Sequence, residues 1–167
     1  MRSDRGQWRL DPVPTILRSM DTISAANTQH QFQAPGSQAR AEALKVFLVD
    51  DSAALRSRIA GMVREIEGVD IVGEAEIPDQ ATSGILESAP DAVLLDLKLT
   101  GGTGIDVLKA VHPAHPGIVF IILTNHAGRH YQRACMASGA SYFLDKSHDF
   151  KQIATILGAL RSIRCRH

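Results

Sequence analysis

Three aspartates, a threonine and a lysine stand at the ends of short apolar runs. Val46-Phe47-Leu48-Val49 leads into Asp50-Asp51, Val93-Leu94-Leu95 into Asp96, Ile118–Leu123 into Thr124, and Ser141-Tyr142-Phe143-Leu144 into Asp145-Lys146. If those runs are parallel strands, their carboxyl ends share one edge, where the loops of an open α/β sheet converge. Three carboxylates gathered there repel one another unless a cation neutralises them. An all-oxygen cluster suits a hard ion such as Mg²⁺, which keeps several waters. With its charge offset, one carboxylate can attack phosphorus and form an aspartyl phosphate. A lysine amine and the metal would neutralise the transferring oxygens, and the Thr124 hydroxyl would donate to one of them. Asp96, at the end of the run that follows Pro90-Asp91, is expected on the rim of the sheet rather than buried.

The elements needed to position these groups are written in the pattern around them. Val93-Leu94-Leu95 is apolar on both sides of the pleat, as a strand inside a parallel sheet must be. After the first strand, Ser52 is a helix N-cap, and Leu55, Ile59, Met62, Val63 and Ile66 recur on one face of a helix of about 15 residues. Gly68 closes it, Val69–Ala75 forms a second strand, and Pro78 suits the first position of a helix carrying Ala81, Ile85 and Leu86. Gly101-Gly102-Thr103-Gly104 turns the chain from the third strand into a helix with Ile105, Val107, Leu108 and Val111, stopped by Pro113 and Pro116. Tyr131, Ala134 and Cys135 lie on a short helix capped by Ser138-Gly139, and Ser147 is expected to cap a last helix carrying Phe150, Ile153, Leu157 and Leu160. Five βα units predict an α/β domain: a doubly wound, five-stranded parallel sheet with helices on both faces.

The chain has 167 residues, enough for one domain with a core and some surplus. Lys+Arg 18 against Asp+Glu 18 leaves no net charge, so no global field draws it to nucleic acid or anionic lipid. Cys135 and Cys165 have neither CxxC nor metal spacing, which fits a reducing cytoplasm. The first residues lack an apolar signal core, and the longest apolar run is far too short to cross a bilayer. Residues 1 to 43 have scattered apolar residues and a polar stretch, Thr28–Gln38, and are expected to form a disordered extension with a short helix near Thr15–Ile23, dispensable for the chemistry. The domain is expected to run from 44 to 167.

From Lys45 to Ile163 the chain resembles the receiver domain of bacterial response regulators, of the stand-alone, chemotaxis-regulator kind. The matching features are the acid pair after strand one, the aspartate after strand three, the hydroxyl after strand four and the lysine after strand five, in that order. The resemblance implies a flavodoxin-like receiver fold and a cytoplasmic phosphoacceptor rather than an enzyme. Asp96 would accept the phosphoryl group from a histidine kinase or phosphotransfer protein, while Asp50, Asp51, Asp96 and the Lys98 carbonyl place Mg²⁺. Lys146 would pair with the phosphoryl oxygens, and Thr124 and Phe143 would form the switch pair. The side chains two positions beyond Asp96 and Thr124, Lys98 and His126, would tune how easily water reaches the phosphoryl group. Output would pass to a downstream target protein or through a phosphorylation-dependent homodimer, with no membrane and no nucleic acid contact expected. Two positions depart from the family. Ser147 stands where proline commonly follows the lysine, often with a cis peptide, so a trans bond is expected here; Thr100 stands where proline is frequent.

Each of these residues has an ordinary reading when taken singly. Asp50 or Asp51 would favour a helix N-terminus, Lys146 would be a surface ion pair, and an aromatic such as Phe143 or its neighbour Tyr142 would be core. It is the order of the set that argues for chemistry. His126 and His130 have i,i+4 spacing but no third ligand for zinc. The glycine segment lacks a phosphate-loop pattern, and Arg161, Arg164 and Arg166 read as a solvated helix end. A haloacid-dehalogenase-type enzyme would need a DxD arrangement at strand one, whereas Asp50-Asp51 are adjacent. The alternative function is the receiver portion of a DNA-binding transcription regulator whose helix-turn-helix output domain is absent from this sequence.

Overall fold

The four-residue runs that are apolar on both sides become strands covered on both sides. The structure, a computed structural model, describes residues 43–126 and 128–165. The expectations for the extension, including the helix near Thr15–Ile23, lie outside the described residues. In chain order the elements are β1 (Leu44–Val49), α1 (Ala53–Arg64), β2 (Val69–Ala75), α2 (Pro78–Ser88), β3 (Ala92–Leu95), β4 (Lys98–Leu99), β5 (Gly102–Thr103), α3 (Gly104–Val111), β6 (Val119–Thr124), α4 (Arg129–Ala137), β7 (Tyr142–Asp145) and α5 (Phe150–Arg164). Five strands form one parallel sheet in the order β2-β1-β3-β6-β7, while β4 and β5 make a two-residue antiparallel hairpin of their own.

Alternation along the central strands divides the core in two. Phe47, Val49, Val93, Leu95, Phe120 and Ile122 point to the face covered by α2, α3 and α4, where Ala81, Ile85, Val107, Leu108 and Cys135 meet them. Val46, Leu48, Leu94, Ile121 and Leu123 point to the other face, against Ile59, Val63, Ile153 and Leu157 of α1 and α5. This is the doubly wound sheet that the periodicity predicts. Cys135 is fully buried, and burial pushes its thiol up to about 11, so it stays protonated near neutral pH and serves as packing. None of the described helices is long and apolar enough to cross a membrane.

Two local expectations are corrected. Helix α1 has 12 residues rather than about 15, because Glu65 and Ile66 donate to the carbonyls three residues back, Met62 and Val63, and this tightens the chain out of the helix before Ile66. Ser147 does not cap α5. The flanking residue is Asp149, with no side-chain cap bond, because the N–H groups of His148 and Asp149 turn back to the Asp145 carbonyl and the helix starts only at Phe150.

The strand order sets where a site can form. The sheet order reverses at β1, with β2 on one side and β3 on the other, so the crevice at their carboxyl ends is the switch point of the fold. Val49 pairs with Leu95 across β1 and β3, which places Asp50 and Asp96 side by side one step further on. Thr124 pairs with Asp145 across β6 and β7, so Lys146 leaves the sheet at the same edge.

Candidate phosphoacceptor site

Asp50 and Asp96 are held from the backbone inward. The Asp50 N–H donates to Ala75 of β2 (3.1 Å) and the Asp96 N–H to Val49 of β1 (2.9 Å), so both residues continue the sheet ladder by one bond. Asp50 Oδ1 accepts the Ser52 N–H (2.9 Å), and Ser52, as expected, caps α1 by accepting the Leu55 N–H. Asp96 Oδ1 accepts the Lys98 N–H (3.3 Å). Lys146 Nζ then bridges the two acids, at 2.6 Å from Asp50 Oδ2 and 2.7 Å from Asp96 Oδ2. Asp51 is exposed and accepts the Thr100 hydroxyl (3.2 Å), which gives a role to a position where the resemblance anticipates proline.

Asp96 is at the strand edge, as expected, but it is not exposed. It is 7% accessible, and Asp50 is 3% accessible. The Lys146 side chain, itself 6% accessible, lies against both carboxylates, and that cover comes from a residue fifty positions away. Such groups tolerate burial only because each is paired and hydrogen-bonded.

Charge at this edge remains unbalanced. One oxygen from each of Asp50, Asp51 and Asp96 lies within 4.8 Å of the others, the sole acidic cluster of metal-holding type among the described residues, and one lysine amine faces all this negative charge. The donor set is all oxygen, partly solvated through Asp51, and carries more negative charge than Lys146 neutralises. Those properties fit a hard, partly hydrated divalent cation.

The other expected residues are placed as follows. Thr124 is fully buried at the end of β6, and its hydroxyl oxygen accepts the His126 N–H (3.1 Å). Phe143 is partly buried and packs on the α2–α3–α4 side, while Tyr142 packs on the opposite side with α1 and α5, so alternation separates the two aromatics. Lys98 is exposed on β4, and His126 is exposed with its ring 6.4 Å from that of Tyr131. His126 and His130 join no three-ligand cluster among the described residues. Of the basic tail, Arg164 forms an ion pair with Asp91 and Arg161 lies over Gly68.

Arg56 was not legible as a site residue. Its NH1 donates to the Asp50 carbonyl (2.6 Å) and its NH2 to Glu76 (2.8 Å), while Nε lies 3.4 Å from Glu74 and makes no hydrogen bond. Arg56 thereby ties the backbone under the acid pair to the end of β2. A helical arginine gives no such signal in sequence, because its acceptors come from the ends of two separate strands, just beyond β1 and β2. Arg56→Met keeps the stem and removes the fork; we expect it to cost about 2 kcal/mol of stability, since bonds to charged groups are worth about 1.5–3. An unchanged urea midpoint would show that the fork contributes nothing.

Known proteins carry the same arrangement of elements. Residues 46–158 match the response regulator receiver domain. The chain is 28% identical over 120 residues to the response regulator UvrY of Escherichia coli (strain K12), which is 72% of this chain and 54% of UvrY. It is 28% identical over 103 residues to the response regulator GacA of Pseudomonas syringae pv. syringae (strain B728a), 62% of this chain and 48% of GacA. The chain thus spans about half the length of these two relatives. The solved two-component response regulator of the LuxR family from Aurantimonas sp. SI85-9A1 superimposes with a TM-score of 0.68 at 26% identity, over 73% of this chain and 87% of that one. With the match running from the first strand into the last helix, the chain belongs to the response regulator receiver domains of two-component systems.

Proposed function

We propose that the protein is a phosphorylation switch in which Asp96 accepts a phosphoryl group from a histidine kinase or phosphotransfer protein. The observation that carries this reading is Lys146 Nζ bridging Asp50 and Asp96 inside a three-carboxylate cluster at the switch point of the sheet. Asp50, Asp51 and Asp96, with the Lys98 carbonyl, would hold Mg²⁺, which when bound supplies positive charge to the acids and to the transferring oxygens. An Asp96 carboxylate oxygen attacks phosphorus, forming an O–P bond as the donor's bond to phosphorus breaks and the donor leaves with that electron pair. The Lys146 amine exchanges its bond to Asp96 for one to a phosphoryl oxygen. We assign this chemistry to residues 44–167.

Conversion to a signal requires an element with two arrangements. The Thr124 hydroxyl turns toward the new phosphoryl oxygens, and Phe143, only partly buried at rest, fills the space that is opened. Lys98 and His126, exposed beside the site, set how readily water enters and therefore the lifetime. The surface that changes is made by α4, β7 and α5, with Arg129, Gln132, Arg133, Lys151 and Gln152 as its polar rim. Tyr131 and Met136 are exposed on α4 beside them, at 49% and 46%. We expect beryllofluoride with Mg²⁺ to strengthen self-association, or binding of a target protein, by about 1–3 kcal/mol, the usual coupling between two sites. Sedimentation of the protein alone and with its target reads this directly, and equal affinities with and without beryllofluoride would remove that face from the account.

The phosphoryl reading itself is tested by intact mass after incubation with acetyl phosphate. One phosphoryl adduct is expected with Mg²⁺ and none with excess chelator; uptake that ignores the chelator would contradict it. A second reading, the receiver portion of a DNA-binding regulator, is favoured by one observation, that UvrY and GacA are about twice as long as the matched region. The source gene read beyond His167 decides between a separate target and a fused output domain.

A further inference from the structure

Lys146 must reach across the edge of the sheet to two acids on a long stem whose ordering costs about 2 kcal/mol of rotamer freedom. What fixes its backbone is therefore part of the site. Every peptide N–H from 145 to 149 has an acceptor. The Lys146 N–H donates to the Thr124 carbonyl (3.1 Å), and those of His148 and Asp149 donate to the Asp145 carbonyl (3.2 and 2.8 Å). The two N–H groups flanking Lys146 are taken by side chains: that of Asp145 by Asp149 Oδ2 (3.0 Å) and that of Ser147 by Asp145 Oδ1 (2.7 Å). Asp149 is held in turn by Gln152 Nε2 (2.6 Å). No cis peptide occurs among the described residues.

We propose that Asp145 and Asp149 are positioning residues for Lys146, two carboxylates that clamp the peptide on either side of it and so aim its amine at Asp50 and Asp96. One bond spanning two residues, from Ser147 to Asp145, and one spanning four, from Asp145 to Asp149, leave Lys146 little freedom to swing out of the site. The Ser147 N–H, with a smaller contribution from His148, holds the Asp145 carboxyl below its ordinary value, so the clamp is in its charged, accepting form at neutral pH. The clamp also needs an N–H at 147, which proline would not supply. The inference rests on the proposed role of Lys146, but its test does not depend on that role alone.

The protein has five lysines, and the four others, Lys45, Lys98, Lys109 and Lys151, are exposed. In ¹H–¹⁵N spectra of the lysine amines of the full chain, Lys146 should give the one slowly exchanging signal, identified by its loss in Lys146→Met. Asp145→Ala should collapse that signal into the exposed set and slow phosphoryl uptake from acetyl phosphate about tenfold, the lower range for losing a group that orients a ligand. Asp145→Asn keeps an acceptor for the Ser147 N–H and should restore both readouts. Should Asp145→Ala fail to fold, Asp149→Ala removes the reciprocal bond and is expected to give the same two changes. A Lys146 signal that stays slowly exchanging in both alanine variants overturns the proposal, as does an asparagine variant no better than alanine. Absence of phosphoryl uptake by the wild type would instead count against the proposed function, while the amine spectra would still decide the clamp.

Discussion

Lys146→Met should lower stability by about 3 kcal/mol in metal-free buffer, because removing one partner of a buried pair leaves the other charges uncompensated. Here the remaining charges are those of Asp50 and Asp96, whose side chains are 4% and 9% accessible. Methionine nearly preserves the stem, so the loss reports the amine and not a cavity. Millimolar Mg²⁺ should recover much of that loss in the variant and do less for the wild type, since the cation then supplies the charge that the amine supplied. Phosphoryl uptake should fall about 10²-fold, as when a charge-stabilising donor is removed from a reacting centre. Urea unfolding with and without Mg²⁺, alongside the uptake rate, measures all three. A variant as stable as the wild type without metal would mean that the acids do not need Lys146, and the site as described would not stand.

Gly104→Ala is expected to be strongly disruptive for the addition of a single methyl group. A Cβ on Gly104 would lie 2.1 Å from the Asp96 carbonyl oxygen and 3.1 Å from Leu95 Cγ. Backbone cannot move aside as the end of a side chain can. The Gly104 N–H also donates to Leu97 (2.9 Å), and Thr103 caps α3 with a reciprocal bond to Asp106, so the start of α3 is pinned where the collision occurs. Overpacking of this kind costs about 1–3 kcal/mol, occasionally more, and we expect about 3. Relief would come partly from shifting Asp96, and a displacement of about 1 Å at a reacting group can cost 10²-fold in rate. Stability and uptake should therefore fall together. If the alanine variant melts with the wild type and takes up phosphoryl normally, the close approach of α3 to Asp96 is not a constraint.

Those two residues mark the line between what the sequence discloses and what it does not. Strands β1, β3 and β6 were legible because burial on both faces leaves a continuous apolar run, and their parallel pairing followed from alternation with helices. The acids, Thr124 and Lys146 were legible because each ends such a run, so placing the strands places the residues. Burial of Asp96 was not, since its cover is a side chain from the other end of the domain. Nor was the Arg56 fork, whose acceptors lie just after β1 and just after β2. The start of α5 was misplaced for a related reason. Ser147 has the chemistry of an N-cap, but the His148 and Asp149 N–H groups turn back to the Asp145 carbonyl before the helix begins, and no residue type marks that turn. Likewise Gly104 reads as turn chemistry, and only the packed structure shows the carbonyl that excludes a side chain.

Three carboxylates within 4.8 Å of one another make the identity of the acceptor the central question. Reduction with borohydride converts an aspartyl phosphate to homoserine, and fragmentation of the resulting peptides locates it. After phosphorylation of the full chain by acetyl phosphate and Mg²⁺, homoserine is expected at residue 96 and at neither 50 nor 51. Homoserine at Asp50 or Asp51, with Asp96 intact, would contradict it.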